Sequence, residues 1–246
     1  ILGRLVGSEM CIRDSLSGAL SIEDTSSSYG HKYIFLYLGG FILALAIEKW
    51  NLHKRIALNI ISKIGTDVRK IILGFMVATA FLSMWISNTA TAVMMLPIGI
   101  AIIKQMKDLK STDEDENQIF GKALLLSIAF SASIGGLATL IGTPPNLVFT
   151  GIVYELYQIE ISFLDWIILG LPISIVLLII SWVYITRFAF KFNQTNFSDG
   201  QTEIKKQLKA LGGISYEERL VRNVFVLTAI AVSYTHLTLP TRAVVV

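Results

Sequence analysis

Two short polar runs interrupt otherwise apolar stretches of the chain, and their residue types suit ion chemistry. The first is Ser87-Asn88-Thr89, followed by Ala90-Thr91-Ala92; the second is Gly142-Thr143-Pro144-Pro145-Asn146. Ser83 stands one helical turn before Ser87, so the two hydroxyls share a face, and with Asn88 they offer neutral oxygens to a small hard cation. In the second run the prolines lack amide donors and Gly142 frees the backbone, so a helix is expected to break there. A broken helix presents carbonyl oxygens at the end of one half and amide groups at the start of the next; the first suit sodium and the second carboxylate. Residues 71–103 and 123–154 contain no Asp, Glu, His, Lys or Arg. A dianion in a pocket built from them meets no fixed counter-charge, and co-bound cations are expected to balance it.

These runs must be held at membrane depth. Apolar residues make up 53% of the sequence and charged ones 16%, with the apolar ones gathered in long uncharged stretches, the composition of an all-α polytopic membrane protein. Residues 166–186 carry no charge over about the length a helix needs to cross a ~30 Å hydrocarbon core. Lys and Arg lie in the loops between apolar stretches, where they set orientation, and imply no nucleic-acid partner. The single cysteine, Cys11, gives neither a disulfide framework nor a metal cluster. No cofactor is expected, and sodium enters only as a coupling ion.

Charge and length divide the chain. Residues 16–64 read as a transmembrane helix, 33–47, followed by an amphipathic helix at the interface from Trp50. Residues 65–158 hold the two polar runs. The limb 71–86 spans only ~24 Å as a helix and the return limb, 92–103, less, so a re-entrant hairpin fits better than two full crossings. A second stretch runs from 123 to 141, breaks at 142–146 and resumes over 147–154. Residues 159–187 form a transmembrane helix, with Tyr154, Tyr157 and Trp166 near the outer interface. Residues 188–223, rich in Lys and Arg, form a cytoplasmic loop containing a polar linker and a short amphipathic helix, and 224–230 open a truncated helix. Residues 1–15 and 231–246 resemble translated adapter read-through and are expected not to belong to the protein.

Non-helical backbone in hydrocarbon costs several kcal/mol per unpaired group, so the two breaks are expected to be functional. Plainer roles are assigned elsewhere. Ser127, Ser131 and Ser133 read as helix-packing residues, Pro97 as a kink, and His53, beside Lys54 and Arg55, as a surface histidine. An intramembrane serine enzyme lacks a buried base, and a scaffold or receptor using 188–223 lacks a recognisable binding module.

The strings FLYLGGFILALAIEKWNLHKRIALNII, FLSMWISNTATAVMMLPI, IGGLATLIGTPPNLVF and EIKKQLKALGGISYEERLV resemble the divalent anion:sodium symporter family, carriers of succinate, malate, citrate or sulfate. The resemblance implies one repeat of an inverted-repeat, elevator-type transporter in the bacterial inner membrane, homodimeric when full length, with 16–64 on the scaffold side and 65–158 in the transport domain. It implies substrate contacts from Ser87, Asn88, Thr89, Thr143 and Pro144, sodium contacts from Ser83, Ser87, Asn88 and Gly142, and loop support from Pro145 and Asn146. It also implies that a second Ser-Asn-Thr hairpin and broken helix are missing, so that the chain is the N-terminal half of such a carrier and does not transport alone. Other anion carriers of the wider superfamily, for sulfate, citrate or arsenite, are the nearest alternative.

Overall fold

The computed structural model describes residues 32–64, 67–107, 114–190, 192 and 198–238. The segments 1–15 and 239–246, with Cys11, lie outside the described residues. Every long regular element among the described residues is helical: α1 (Lys32–Lys49), α2 (Leu52–Ile64), α3 (Val68–Ser83), α4 (Asn88–Lys107), α5 (Glu114–Gly136), α6 (Pro144–Tyr157), α7 (Phe163–Val183) with a π-helical extension (Tyr184–Ala189), α8 (Ser198–Ala210) and α9 (Tyr216–Thr238).

The chain divides after Ile42 into two units. In the first, 32–42 form the opening of α1, where Tyr37 and Phe41 meet edge to face at 4.3 Å. All other elements belong to the second. There α3 packs against α5 and α2, and α4 against α5, around a core that includes Ile61, Ile71, Phe75, Met76, Met95, Ile102, Phe120 and Leu124. Close approach is built in by glycine: a Cβ on Gly135 would sit 2.3 Å from the Ala80 carbonyl oxygen of α3.

Among the described residues two helices are long and apolar enough to cross a membrane, 117–136 within α5 and 163–189, and α1 with α2 would make a third if that pair, bent by 74°, is one span. Ser162 caps α7 in a reciprocal box with Asp165, which fixes the start of the longest span. That helix is apolar all round and exposes Ile168, Leu169, Ile173, Val176 and Ile180, as a lipid-facing helix does. Its far end meets the start of α3, where Trp182 Nε1 donates to the Arg69 carbonyl at 3.0 Å. Two basic-flanked helix ends thus lie together.

Four boundaries or environments differ from the sequence reading. Helix α5 stops at Gly136, not 141, so the second break is 137–143, and Pro144, Pro145 and Asn146 form the first turn of α6. Proline fits there because its fixed φ suits a helix start and its missing amide has no partner to lose. The return limb of the hairpin begins at Asn88 and runs for 20 residues, although its apolar part, 88–104, remains short of a full crossing; the limb α3, at 16 residues, is short as expected. Helix α9 starts at Tyr216, ahead of 224, because the Ser215 hydroxyl accepts the Glu218 amide at 3.1 Å; it continues through 231–238. Finally, His53 is no surface residue. It is 3% exposed, and its Nδ1 donates to the Ile47 carbonyl at 3.3 Å, occupying an acceptor that the end of α1 leaves unpaired.

Candidate functional site

The two breaks, 84–87 and 137–143, meet. At their junction the Ser83 hydroxyl, last residue of α3, donates to the Ala132 carbonyl of α5 at 2.6 Å. The inner atom of the Asn88 amide lies 2.7 Å from Ser83 Oγ, 3.1 Å from the Ala132 oxygen and 3.3 Å from the Gly142 oxygen. Ser83 has one proton and spends it on Ala132. With its nitrogen inward, the Asn88 amide therefore shares its two protons among these three oxygens; with its oxygen inward, Asn88 makes a cluster of four neutral oxygens, drawn from α3, α4, α5 and the second break. Such a cluster is the donor set of a hard monovalent or divalent cation. Among the described residues no group of His, Cys, Asp or Glu could hold a metal.

Glycines allow the convergence. A Cβ on Gly136 would stand 2.1 Å from Asn88 Oδ1, and one on Gly142 would stand 2.5 Å from the Gly136 carbonyl oxygen; neither position has room for a side chain. Asn146, in the first turn of α6, reaches back so that Nδ2 donates to the carbonyls of Gly136 at 2.9 Å and Thr139 at 2.8 Å. The buried backbone of the break is satisfied by a side chain in place of a helix ladder.

Of the residues singled out in the sequence, Ser83, Asn88 and Gly142 come together directly, with Asn146 one bond away. Ser87 caps α4, its hydroxyl accepting the Ala90 amide at 3.4 Å. Thr89 is exposed on the first turn of α4, Thr143 is half-buried at the N-cap of α6, and Pro144 and Pro145 are exposed. Sequence reasoning missed Ala132, which contributes only a carbonyl, and Thr139, which is fully buried. The Thr139 hydroxyl donates to the Met84 carbonyl of the first break and accepts the Gly142 amide of the second at 3.1 Å. Its signal was a lone polar residue three positions before Gly142. Trp166, expected only at the outer interface, is tied to the second break, its Nε1 donating to the Leu137 carbonyl at 3.0 Å. Ser174 similarly donates to the Ile134 carbonyl at 3.0 Å, so the break lies against the first half of the 163–189 span. Ser127, Ser131 and Ser133 donate to carbonyls of their own helix one turn back, as packing residues do.

A polytopic helical protein with two helix breaks sharing a neutral-oxygen cluster has the build of a secondary transporter. The family of citrate transporters matches residues 3–244, and the chain belongs to it. Among curated proteins, it is similar to the sodium-dependent dicarboxylate transporter SdcS of Staphylococcus aureus strains USA300, NCTC 8325 and RF122. Each is 49% identical over 217 residues, which cover 87% of this chain and 42% of the relative. The chain thus spans less than half the length of these relatives. The likeness to the divalent anion:sodium symporters is upheld, and family and relatives alike are transporters, so the enzyme reading falls.

Proposed function

We propose that this chain forms one repeat of a sodium-coupled carrier that moves C4-dicarboxylates such as succinate or malate by symport across the bacterial inner membrane. The observation that carries the reading is the oxygen cluster of Ser83, Asn88, Ala132 and Gly142 at the junction of the two breaks. In the sodium-loaded form the Asn88 oxygen faces inward and the ion replaces the amide protons as the partner of the surrounding oxygens. The substrate carboxylate lies beside it at the start of α4, against Ser87, Asn88 and Thr89, with Thr143 and Pro144 bordering the same space and Pro145 and Asn146 supporting the break. The bound cation supplies the charge that the side chains do not.

In this reading 16–64 belong to a scaffold, 65–158 to a mobile transport domain, and a second, inverted repeat completes the substrate site in a homodimer working by elevator-type movement. The share of the relatives that the chain spans is consistent with one repeat of two. The test is uptake of labelled succinate by the complete carrier in proteoliposomes, with sodium replaced by choline at fixed pH. Uptake is expected to need sodium; uptake that persists in choline overturns the reading. A tricarboxylate substrate is favoured by the family's description as citrate transporters, and competition by citrate against labelled succinate separates the two.

A further inference from the structure

Within that reading, we propose that Thr139 is a positioning residue for the cation site, the part through which the first break sets the geometry of the second. Thr139 lies outside the oxygen cluster, yet its hydroxyl and its carbonyl are both engaged around it. The hydroxyl proton goes to the Met84 carbonyl at the end of α3. A hydroxyl lone pair takes the Gly142 amide at 3.1 Å. The Thr139 carbonyl takes the Asn146 side chain at 2.8 Å and a second, longer contact from the Gly142 amide at 3.4 Å.

Gly142 contributes its carbonyl oxygen to the cluster, 3.3 Å from the Asn88 amide, and its orientation is not fixed by a side chain of its own. Its amide is held by Thr139, and Thr139 is held by the turn that leads into Ser87 and Asn88. The hydroxyl is therefore a two-way link: without it, the Met84 carbonyl loses a buried partner and Gly142 keeps only the longer contact. The residue is fully buried, so water does not readily replace what the hydroxyl supplies. The link bears on the cation, because the atom it orients is a cluster carbonyl, and it touches neither the Thr89 face nor the first-turn amides of α4 where an anion is expected.

The test is Thr139→Val, which keeps the shape and removes the hydroxyl, beside Thr139→Ser, which keeps the hydroxyl, in the complete carrier reconstituted in proteoliposomes. The readouts are half-saturating sodium, maximal rate and half-saturating succinate at saturating sodium, each normalised to folded protein. Thr139→Val is expected to raise half-saturating sodium about tenfold while changing the maximal rate and half-saturating succinate by no more than about threefold, and Thr139→Ser to restore the sodium response. If the valine variant does not fold, Thr139→Ala takes its place. Unchanged half-saturating sodium, a uniform loss of rate, or a serine variant as impaired as valine overturns the proposal. Sodium-independent uptake by the unsubstituted carrier overturns the functional reading instead, so the two failures are distinguishable.

Discussion

Gly136→Ala is the sharpest perturbation the geometry offers. The added Cβ would stand 2.1 Å from Asn88 Oδ1 and 2.9 Å from Cγ and Nδ2, so the amide must retreat by more than about 1 Å to reach ordinary contact. Its approaches to Ser83 Oγ at 2.7 Å, the Ala132 oxygen at 3.1 Å and the Gly142 oxygen at 3.3 Å do not survive that movement. Two or three hydrogen bonds at about 1 kcal/mol each are lost, and alanine regains up to about 1 kcal/mol of helix preference over glycine. The expected net destabilisation is about 2 kcal/mol, accompanied by loss of stabilisation by sodium. Gly151→Ala is the control, since a Cβ there meets nothing within 4 Å and only the helix preference acts. Thermal unfolding in detergent, with and without sodium, reads both. A Gly136→Ala variant as stable as Gly151→Ala, with the sodium response intact, would refute the placement of Asn88 against Gly136.

Two further predictions concern α2 and the segment packed against it. Burial pushes the His53 imidazole below its ordinary value of 6.5, so the unfolded chain binds a proton that the fold resists; stability is full above about pH 6.5 and falls as pH drops below it. Unfolding followed from pH 7.5 to 5.5 should show this slope, and His53→Gln should flatten it; an equal slope in both proteins removes the buried-neutral assignment. Glu218, 4% exposed, pairs with Arg55 of α2, whose guanidinium also donates to the carbonyls of Leu211 at 3.4 Å, Gly212 at 3.1 Å and Gly213 at 3.3 Å. Glu218→Gln should cost about 1–3 kcal/mol and speed limited proteolysis between α8 and α9; cleavage at the original rate would show that this clamp does not hold the segment.

The long uncharged helix was legible because composition and length suffice for it: no alternative partner is needed to explain 166–186. Break positions were less so. The prolines of 144–145 mark a helix start as well as a helix stop, and only the packing of Gly135 and Gly136 against Ala80 and Asn88 decides where α5 ends. His53 was misread through its neighbours Lys54 and Arg55, although its spacing from Ala57, Leu58 and Ile61 put it on the buried face of α2. Arg55 itself is engaged by a carboxylate 163 positions away, a pairing that no local pattern encodes. Ala132 was invisible for a different reason, since a carbonyl ligand carries no side-chain signature.

The two breaks are chemically unlike, and on the proposed reading this suits them to different ions. Helix α6 opens with two prolines that have no amide proton, and the Asn146 amide is already donated to the Thr143 carbonyl at 3.1 Å. Its first turn contributes the dipole of a helix start but few donors, so the second break acts chiefly through acceptors, above all the Gly142 carbonyl. Helix α4 is the reverse. The amides of Asn88 and Thr89 have no acceptor among the described residues, and the Ser87 hydroxyl stands beside them at the cap. In the proposed carrier a carboxylate would find its donors at the start of α4 and a cation its oxygens in the cluster of Ser83, Asn88, Ala132 and Gly142, with Asn88 common to both. If that amide faced a cation with its oxygen, its nitrogen would lie on the other side, and on the proposed reading its protons would be turned toward the carboxylate. On the proposed reading, a cation bound first would prepare the carboxylate site, and coupling would need no charged side chain.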